Sequence, residues 1–222
     1  MKGFIFDMDG TLVENMAFHF LAFDKQAERH GYELLRPITS RYYGWHNRDI
    51  MPETIPAEVI ERLGLDFLSD EKEAIYRELY AGNVRLTAGL DELLADAKRC
   101  GIRCAVGSAG PRVNVEFIMR EGDLFSRMDA YVCADDVTRC KPDPEIFLKS
   151  CAKLNLDPSD CVVFEDAVSG IKAGRAAGCR TVGITTTISG QALLDAGADF
   201  VVPDFQGLTV AEIERRLAAQ RP

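Results

Sequence analysis

Two aspartates stand two residues apart, directly after a short apolar run near the start of the chain. Asp7 and Asp9 follow the run 3–6 and precede Gly10, which lets the chain turn sharply. A carboxylate at the end of a buried strand can attack phosphorus, while a second carboxylate passes a proton to the leaving group and takes one from water. The same residue types are also common where an ordinary strand meets a loop. Further matching residues must decide between these two interpretations.

A second pair of acids, Glu165 and Asp166, follows a later apolar run at 161–164. If both runs are parallel strands of one sheet, their carboxyl ends lie at the same edge and the acids converge. Such a cluster repels itself unless a cation neutralises it, and oxygen ligands beside a phosphate favour Mg²⁺. The alternative is that the second pair caps the helix that follows. The first interpretation predicts a Mg²⁺ site formed by Asp7, Asp9, Glu165 and Asp166.

Two further positions offer groups that bind phosphate. Ser108 and Ala109 lie in a Gly-Ser-Ala-Gly turn between a predicted strand and a predicted helix, where hydroxyl and N–H groups can donate to phosphate oxygens. Lys141 precedes another helix, and prolines at 142 and 144 restrict its loop and so the position of its charge. Each feature alone is more typical of an ordinary loop or helix start. With the acids, they complete a predicted phosphoryl-transfer site.

The elements that must position these residues alternate between short apolar runs and amphipathic helical stretches from about residue 86 onward. This alternation predicts βα units and therefore a doubly wound α/β fold with a parallel sheet. The predicted strands are 3–6, 102–106, 131–133, 161–164, 181–184 and 200–202. The predicted helices between the later strands are 90–100, 112–121, 144–154, 168–177, 190–196 and 209–219.

The segment 14–82 breaks the alternation, because nearly all of it has a helical pattern. Helices are predicted at 15–30, 56–63 and 70–80. The loop between the first two carries three residues that break helices: Gly44, Pro52 and Pro56. An insertion after the first strand lies at the carboxyl edge of the sheet, where open α/β sheets bind ligands. We therefore predict a helical cap domain at 14–82 over a core domain formed by 1–13 and 83–222.

The composition limits the classes of function. The chain has 222 residues, of which 47% are hydrophobic and 27% charged, as is ordinary for a globular protein. A formal net charge of −9 argues against binding to nucleic acid or to an anionic membrane through a broad positively charged surface. There is no signal-peptide pattern or run of 18 apolar residues, and the seven cysteines include no CxxC pair. We expect a cytoplasmic protein with no zinc or disulfide framework.

The four ordered motifs of the haloacid dehalogenase superfamily resemble, in chain order, Asp7-Met8-Asp9-Gly10-Thr11, Ser108, Lys141-Pro142 and Glu165-Asp166. The stretch 164–174 is particularly similar to the branch that contains β-phosphoglucomutase and small sugar-phosphate phosphatases. The resemblance implies a Rossmann-like core with a cap inserted between the first two motifs. It also implies that Asp7 is the nucleophile, Asp9 the general acid and base, and Ser108 and Lys141 phosphate ligands. The implied Mg²⁺ neighbourhood is Asp7, the carbonyl of Asp9, Glu165 and Asp166.

Two residues of the predicted cap are candidates for substrate contact. His19 lies ten residues after Asp9, where the β-phosphoglucomutase pattern also has a histidine that closes over the site. The cap loop Gly-x-x-Arg of that pattern is one residue longer here, at 44–48, so that Arg48 falls out of register. Thr11 also stands where the mutase motif typically has valine. The alternatives are that His19 is a residue of the helix surface and Arg48 a solvated loop charge.

These patterns predict a Mg²⁺-dependent phosphatase that hydrolyses the phosphomonoester of a small metabolite, such as a sugar phosphate, through an aspartyl phosphate. One alternative is a β-phosphoglucomutase, in which a second sugar hydroxyl accepts the phosphoryl group. Another is an inorganic pyrophosphatase. A hypothesis from a different class is a non-catalytic module that binds a phosphorylated ligand. The sequence identifies neither the substrate nor the oligomeric state, although a monomer is compatible with it.

Overall fold

A computed structural model describes residues 1–39, 42 and 46–220 of the chain. Six parallel strands form one sheet in the order β3-β2-β1-β4-β5-β6. The strands are β1 Gly3–Phe6, β2 Arg103–Gly107, β3 Ala130–Val132, β4 Cys161–Glu165, β5 Arg180–Ile184 and β6 Phe200–Val202. The order reverses direction between β1 and β4, which is the switch point at which doubly wound sheets bind ligands. The predicted α/β class is confirmed.

Helices cover both faces of the sheet, as parallel strands require. The helices that follow β1 and precede β2 are α1 Met16–His30, α2 Asn47–Thr54, α3 Ala57–Leu63, α4 Leu65–Tyr80 and α5 Leu90–Arg99. The remaining helices are α6 Arg112–Glu121, α7 Glu145–Lys153, α8 Val168–Ala176, α9 Gly190–Asp195 and α10 Val210–Ala219. The part of the chain that the structure describes contains no helix both long and apolar enough to span a membrane.

The middle strand β1 is fully buried, and alternate residues along it pack into different clusters of the core. Phe4 and Phe6 lie in the cluster that contains residues of α5, α6 and α10. Ile5 points the other way, into the cluster with residues of α7 and α8. The Phe6 ring stacks on Phe164 of β4, with ring centroids 4.8 Å apart. Each such side chain contributes about 1.5–3 kcal/mol on burial, so the strand end is held rigidly.

The inserted helices α1–α4 have their own apolar cluster, which includes Phe23, Met51 and Leu68. The predicted helices at 15–30 and 56–63 are confirmed, and the third begins at Leu65 rather than at 70. The prediction of a loop through Pro52 is wrong, because this proline lies inside α2. A proline removes one helical hydrogen bond, but α2 also buries Met51 among the cap residues, and packing holds a short helix together. The domain boundaries at 14 and 82 stay a prediction.

Candidate active site

Asp7, Lys141 and Glu165 form a buried ionic group at the carboxyl ends of β1 and β4. The backbone N–H of Asp7 donates to the Phe164 carbonyl at 2.9 Å, which extends the pairing of the two strands by one residue. Lys141 Nζ lies 2.5 Å from Asp7 Oδ1 and 2.7 Å from Glu165 Oε1. The three side chains are almost completely buried. The sequence-predicted acids of the first and last motifs therefore meet, with Lys141 between them.

The charges in this group are unbalanced. Burial raises the pKa of Asp7 well above its ordinary value, against the opposing charge of Lys141. The neighbouring carboxylates of Glu165, Asp166 and Asp9 raise the pKa of Asp7 further. Burial acts to lower the pKa of Lys141, but Asp7 and Glu165 outweigh it and leave that pKa above its ordinary value. One lysine therefore does not neutralise the acids around it.

Asp166 is held on the other side of the site by two threonine hydroxyls. Thr11 Oγ1 donates to Asp166 Oδ1 at 3.1 Å and Thr187 Oγ1 donates to Asp166 Oδ2 at 2.6 Å. Burial and the charge of Glu165 raise the pKa of Asp166 to about 7. Gly10 packs directly against this carboxylate, with φ at +81°, and a Cβ atom there would lie 2.3 Å from Asp166 Oδ2. Only glycine fits the turn after Asp9.

The carboxylates suit a magnesium ion without forming a closed cage for one. Within residues 1–39, 42 and 46–220, no group of three or more His, Cys, Asp or Glu side chains is arranged to hold a metal. Mg²⁺ usually takes one or two carboxylates and keeps water and substrate phosphate as its other ligands. Asp7 and Asp166 fit that need, because both carboxyl groups are buried and burial raises the pKa of each above its ordinary value. Glu165 is instead occupied by Lys141 and by the Ala167 N–H, at 2.7 and 2.8 Å.

The Ser108 loop faces the same cavity. Ser108 follows β2 and is 1% exposed, and its Oγ accepts a hydrogen bond from the Gly110 N–H at 3.0 Å. Ala109 and Gly110 line the cavity beside Asp7 and Asp9. A Cβ atom at Gly110 would lie 3.6 Å from Asp9 Oδ2, so the two loops are in direct contact. Of the sequence-predicted phosphate ligands, Ala109 and Lys141 therefore line the same cavity as the first motif, and Ser108 lies directly before Ala109.

Asp9 contacts the inserted helices rather than the acids of β4. Asn15 Nδ2 donates to Asp9 Oδ1 at 2.5 Å and to the Tyr76 hydroxyl at 2.6 Å. Asn15 precedes α1, where an asparagine would normally cap the helix, but its side chain makes no capping bond. His19 Nε2 lies 3.6 Å from the same oxygen of Asp9. The side chain of Asp9 is thus positioned by residues at the beginning of α1 and on α4.

Two neighbours fix the orientation of His19. Its ring stacks on Tyr76 with centroids 3.8 Å apart and an angle of 8° between the rings. Its Nδ1 lies 2.8 Å from Lys72 Nζ, which is buried and also contacts Glu73 at 2.8 Å. An ammonium group can only donate, so Nδ1 is the acceptor and Nε2 carries the hydrogen. That hydrogen is on the ring edge nearest Asp9.

Arg48 occupies a different environment from His19. It lies on α2 and borders a cavity of about 190 Å³ that extends from Asp7 to the inserted helices. Its guanidinium pairs with Asp66 at 2.8 Å, and its side chain is 69% exposed. The structure therefore brings His19 to Asp9 and leaves Arg48 at the rim. Gly44 and Trp45 of the predicted cap loop lie outside the described residues.

Sequence reasoning missed several residues that border the site: Asn15, Lys72, Glu73, Tyr76, Asn114 and Thr187. One of them, Lys72, could have been identified from the sequence. The buried stripe of α4 includes Leu68, Ile75 and Tyr76, and Lys72 falls within it at helical spacing. A lysine inside an apolar stripe requires a partner, because burial of an unpaired charge is costly. The others look like ordinary helix and loop residues.

Doubly wound α/β proteins bind small ligands at the switch point of the sheet. This chain has such a sheet, and its buried acids lie at that point. The family model described as haloacid dehalogenase-like hydrolase matches residues 1–178. The chain belongs to the haloacid dehalogenase-like hydrolase family, and it is an enzyme that acts on phosphoric esters.

Relatives with two different activities resemble the chain over nearly its whole length. A phosphorylated carbohydrates phosphatase of Thermotoga maritima is 33% identical over 215 residues, covering 95% of this chain and 98% of that protein. A β-phosphoglucomutase of Bacillus subtilis is 30% identical over 219 residues, covering 95% and 92%. Among solved structures, a haloacid dehalogenase hydrolase of Entamoeba histolytica superposes with a TM-score of 0.83 at 26% identity, covering 98% and 100%.

Proposed function

We propose that this chain is a Mg²⁺-dependent phosphatase of a small phosphorylated metabolite, such as a sugar phosphate, and that it works through an aspartyl phosphate on Asp7. The observation that carries the proposal is the position of Asp7, which is buried at the switch point beside Lys141 and opposite the Ser108 loop. A carboxylate held there with one cation and several N–H and O–H donors is suited to attack a bound phosphoryl group. The phosphatase name of the Thermotoga maritima relative is consistent with this proposal.

The first step forms one bond and breaks one. The Asp7 carboxylate attacks phosphorus, and the bond from phosphorus to the ester oxygen breaks as Asp9 gives that oxygen a proton. The second step reverses these roles: Asp9 takes a proton from water, the hydroxide attacks phosphorus, and the Asp7 carboxylate leaves. Ser108, the Ala109 N–H and Lys141 bind the oxygens of the transferring group. The products are the free alcohol and inorganic phosphate.

A magnesium ion would be held by Asp7, Asp166 and the Asp9 carbonyl. Glu165 would contribute indirectly, because it binds Lys141, which in turn binds Asp7. Bound there, it would offset the negative charge that the acids and the phosphate bring together. The residues of the chain have separate tasks. Thr11 and Thr187 orient Asp166, and Lys141 places the Asp7 carboxylate at the end of β1. These contacts hold the acids in position before substrate arrives.

The inserted helices supply the remaining requirement, which is to limit access of bulk water. His19 and Tyr76 cover Asp9, and Phe20 and Phe23 of α1 line the cavity beyond it. We infer that the leaving group lies under these helices, since that is where the cavity continues from Asp7. The apolar lining is compatible with the carbon skeleton of a sugar, whose hydroxyls would face the polar residues on α4.

A β-phosphoglucomutase is the second candidate, and the position of His19 beside Asp9 favours it. Arg48 favours the phosphatase, because its guanidinium is paired with Asp66 and its side chain is 69% exposed at the rim of the cavity. Thr11, which takes the place of the valine typical of the mutase motif, binds Asp166. The two activities differ only in whether water or a sugar hydroxyl accepts the phosphoryl group.

The test is to incubate the enzyme and Mg²⁺ with β-glucose 1-phosphate and a catalytic amount of glucose 1,6-bisphosphate, and to follow glucose 6-phosphate and free phosphate. We expect free phosphate to be the main product. Much faster formation of glucose 6-phosphate would replace the phosphatase proposal with the mutase. A parallel screen of p-nitrophenyl phosphate, hexose phosphates, pentose phosphates, polyol phosphates, phosphoglycolate and pyrophosphate should then identify the preferred leaving group. Absence of turnover on every compound would contradict both enzymes.

A further inference from the structure

A polar group joins α4 of the inserted segment to α6, which begins just after the Ser108 loop. Asn114 on α6 is 1% exposed, and its amide lies between two residues of α4. Its Nδ2 donates to Glu73 Oε2 at 2.6 Å, and its Oδ1 accepts from Arg77 Nη1 at 2.6 Å. Glu73 and Arg77 are four residues apart and therefore share one face of α4. We call Glu73, Arg77 and Asn114 the α4–α6 clasp.

The clasp continues into the site through a line of buried contacts. Glu73 Oε1 accepts from Lys72 Nζ at 2.8 Å, and Lys72 Nζ lies 2.8 Å from His19 Nδ1. His19 Nε2 lies 3.6 Å from Asp9 Oδ1. Lys72 and Glu73 are nearly as buried as Asn114. The position of the His19 ring over Asp9 is therefore connected, contact by contact, to the docking of α4 on α6.

Both ends of the Asn114 amide bind α4, and one of them binds the carboxylate from which this line of contacts begins. The amide N–H₂ completes the hydrogen bonding of a buried carboxylate, and the amide oxygen accepts from a guanidinium. If α4 moves away from α6, Glu73 and Arg77 lose these partners together. A buried carboxylate that loses a donor is unfavourable unless water replaces it. The clasp consequently favours the arrangement in which α4 lies against α6 and His19 lies over Asp9.

We propose that Asn114 and Glu73 are positioning residues, and that the α4–α6 clasp makes the docking of the inserted helices and the placement of His19 over Asp9 a single event. The inference rests on the proposed phosphatase function. Substrates with a leaving group large enough to lie under α1 and α4 depend on that docking. A phosphoryl donor as small as acetyl phosphate needs only Asp7 and the phosphate ligands around it. Loss of the clasp should therefore affect large substrates more than small ones.

The experiment compares kcat/KM for the best hexose phosphate with kcat/KM for acetyl phosphate in four proteins: the wild type, Asn114→Asp, Glu73→Gln and the double variant. Asn114→Asp places a second carboxylate against Glu73. We expect kcat/KM for the hexose phosphate to fall about 30-fold, and that for acetyl phosphate less than about threefold. Adding Glu73→Gln, whose amide can donate to the new carboxylate, should recover about tenfold for the hexose phosphate.

Glu116→Gln is the matched control, because Glu116 lies on the same helix but contacts Tyr131 within the sheet domain, at 2.8 Å. It should behave as the wild type on both substrates. Should Asn114→Asp not fold, Asn114→Ala tests the same point, with an expected loss of about tenfold on the hexose phosphate and little loss on acetyl phosphate.

Equal losses on the two substrates, or a double variant no better than Asn114→Asp, would overturn the clasp. A wild-type protein that hydrolyses neither substrate would refute the proposed function itself. Turnover of acetyl phosphate by the wild type therefore distinguishes the two failures. Hydrogen exchange adds an independent measurement, because exchange in α4 should accelerate in Asn114→Asp and return toward the wild-type rate in the double variant.

Discussion

Two regions of the molecule bury charged side chains near Asp9, and they differ in how many partners each buried carboxylate has. At the ends of β1 and β4, the carboxylates of Asp7, Glu165 and Asp166 share one lysine. On α4, the single carboxylate of Glu73 has a lysine and two amides of its own, from Asn47 and Asn114. Burial is similar in both places, so the difference lies in the partners.

The pKa values follow from that difference. Burial and the charge of Glu165 raise the pKa of Asp166 to about 7, and the opposing effects of Thr187, Lys141 and Thr11 do not cancel that rise. Burial also acts to raise the pKa of Glu73, but the charge of Lys72 and the hydrogen bonds from Lys72 and Asn114 oppose it, and that pKa is lowered to about 2. A cluster that completes its own charge balance is structural, whereas one left short of positive charge is prepared for a ligand. We therefore expect the first region to take up a cation and a phosphate, as proposed above, and the second to need neither.

The largest expected effect tests the first region at Asp7, the proposed nucleophile. Asp7→Asn preserves the shape of the side chain but removes its nucleophilicity, so turnover of p-nitrophenyl phosphate should fall by at least about 10³-fold. The amide also relieves repulsion among the acids, so the thermal unfolding midpoint should stay the same or rise. A crystal grown with beryllium fluoride should show the fluoride group on Asp7 of the wild type. Retained activity in a folded Asp7→Asn variant would contradict the proposed mechanism.

Metal removal tests the charge deficit directly. Excess chelator should stop turnover and Mg²⁺ should restore it, whereas Ca²⁺, which prefers more ligands at longer distances, should inhibit. Asp166→Ala should weaken Mg²⁺ binding, measured by calorimetry, more than Glu165→Ala, because Glu165 is occupied by Lys141. Full activity in chelator would mean that the acids at the switch point need no cation, and the contrast between the two regions would lose its basis.

His19 lies between the regions, and its removal distinguishes the two enzymes. His19→Ala should lower kcat of a phosphatase only about tenfold, since water can reach the aspartyl phosphate without exact cap geometry. In a mutase the same change should be far more severe, because the second sugar hydroxyl must be placed against Asp9. The measurement is the ratio of glucose 6-phosphate to free phosphate formed from β-glucose 1-phosphate. A fall in kcat of several hundredfold in His19→Ala would favour the mutase.

The smallest effect concerns stability in the balanced region. The folded pKa of Glu73, about 2, is below the ordinary value of 4.5, so its contribution is present above pH 4.5 and is lost as pH falls toward 2. A difference of that size corresponds to stability on the order of 3 kcal/mol. Glu73→Gln should therefore lose less free energy of unfolding than the wild type on acidification over this range. Parallel curves for the two proteins, from urea denaturation at several pH values, would contradict the assignment.

Residues that are contiguous in sequence carried most of what could be predicted. Asp7 and Asp9 follow a short apolar run, and Glu165 and Asp166 follow another, so the pattern of strand followed by acid places both pairs at one sheet edge. All six predicted strands are present, with ends that differ by at most one residue. Apolar strands of a parallel sheet are readable because burial on both faces requires an unbroken apolar run.

The helix through Pro52 shows where such reading fails. Local propensity predicts a loop there, and only the packing of Met51 and its neighbours among the inserted helices makes α2 favourable. The start of α4 at Leu65 has the same origin, because Leu68 is buried in that cluster. Helices in the insertion gain stability by packing against one another. The sequence of one helix does not show which other helix it packs against.

By itself, then, the sequence determined the sheet, the acids at its edge and the lysine and serine that accompany them. The acids and Ser108 lie next to apolar runs that must become strands, and Lys141 lies in a loop that two prolines restrict. Only the tertiary structure decided that Lys72 contacts His19, that Asn15 binds Asp9 and that Asn114 joins α6 to α4. Lys72 and His19 are far apart in the chain, as are Asn114 and Glu73, and Asn15 stands where an asparagine would be expected to cap α1. Their proximity depends on how the inserted helices dock, which side-chain packing between segments settles and local pattern does not.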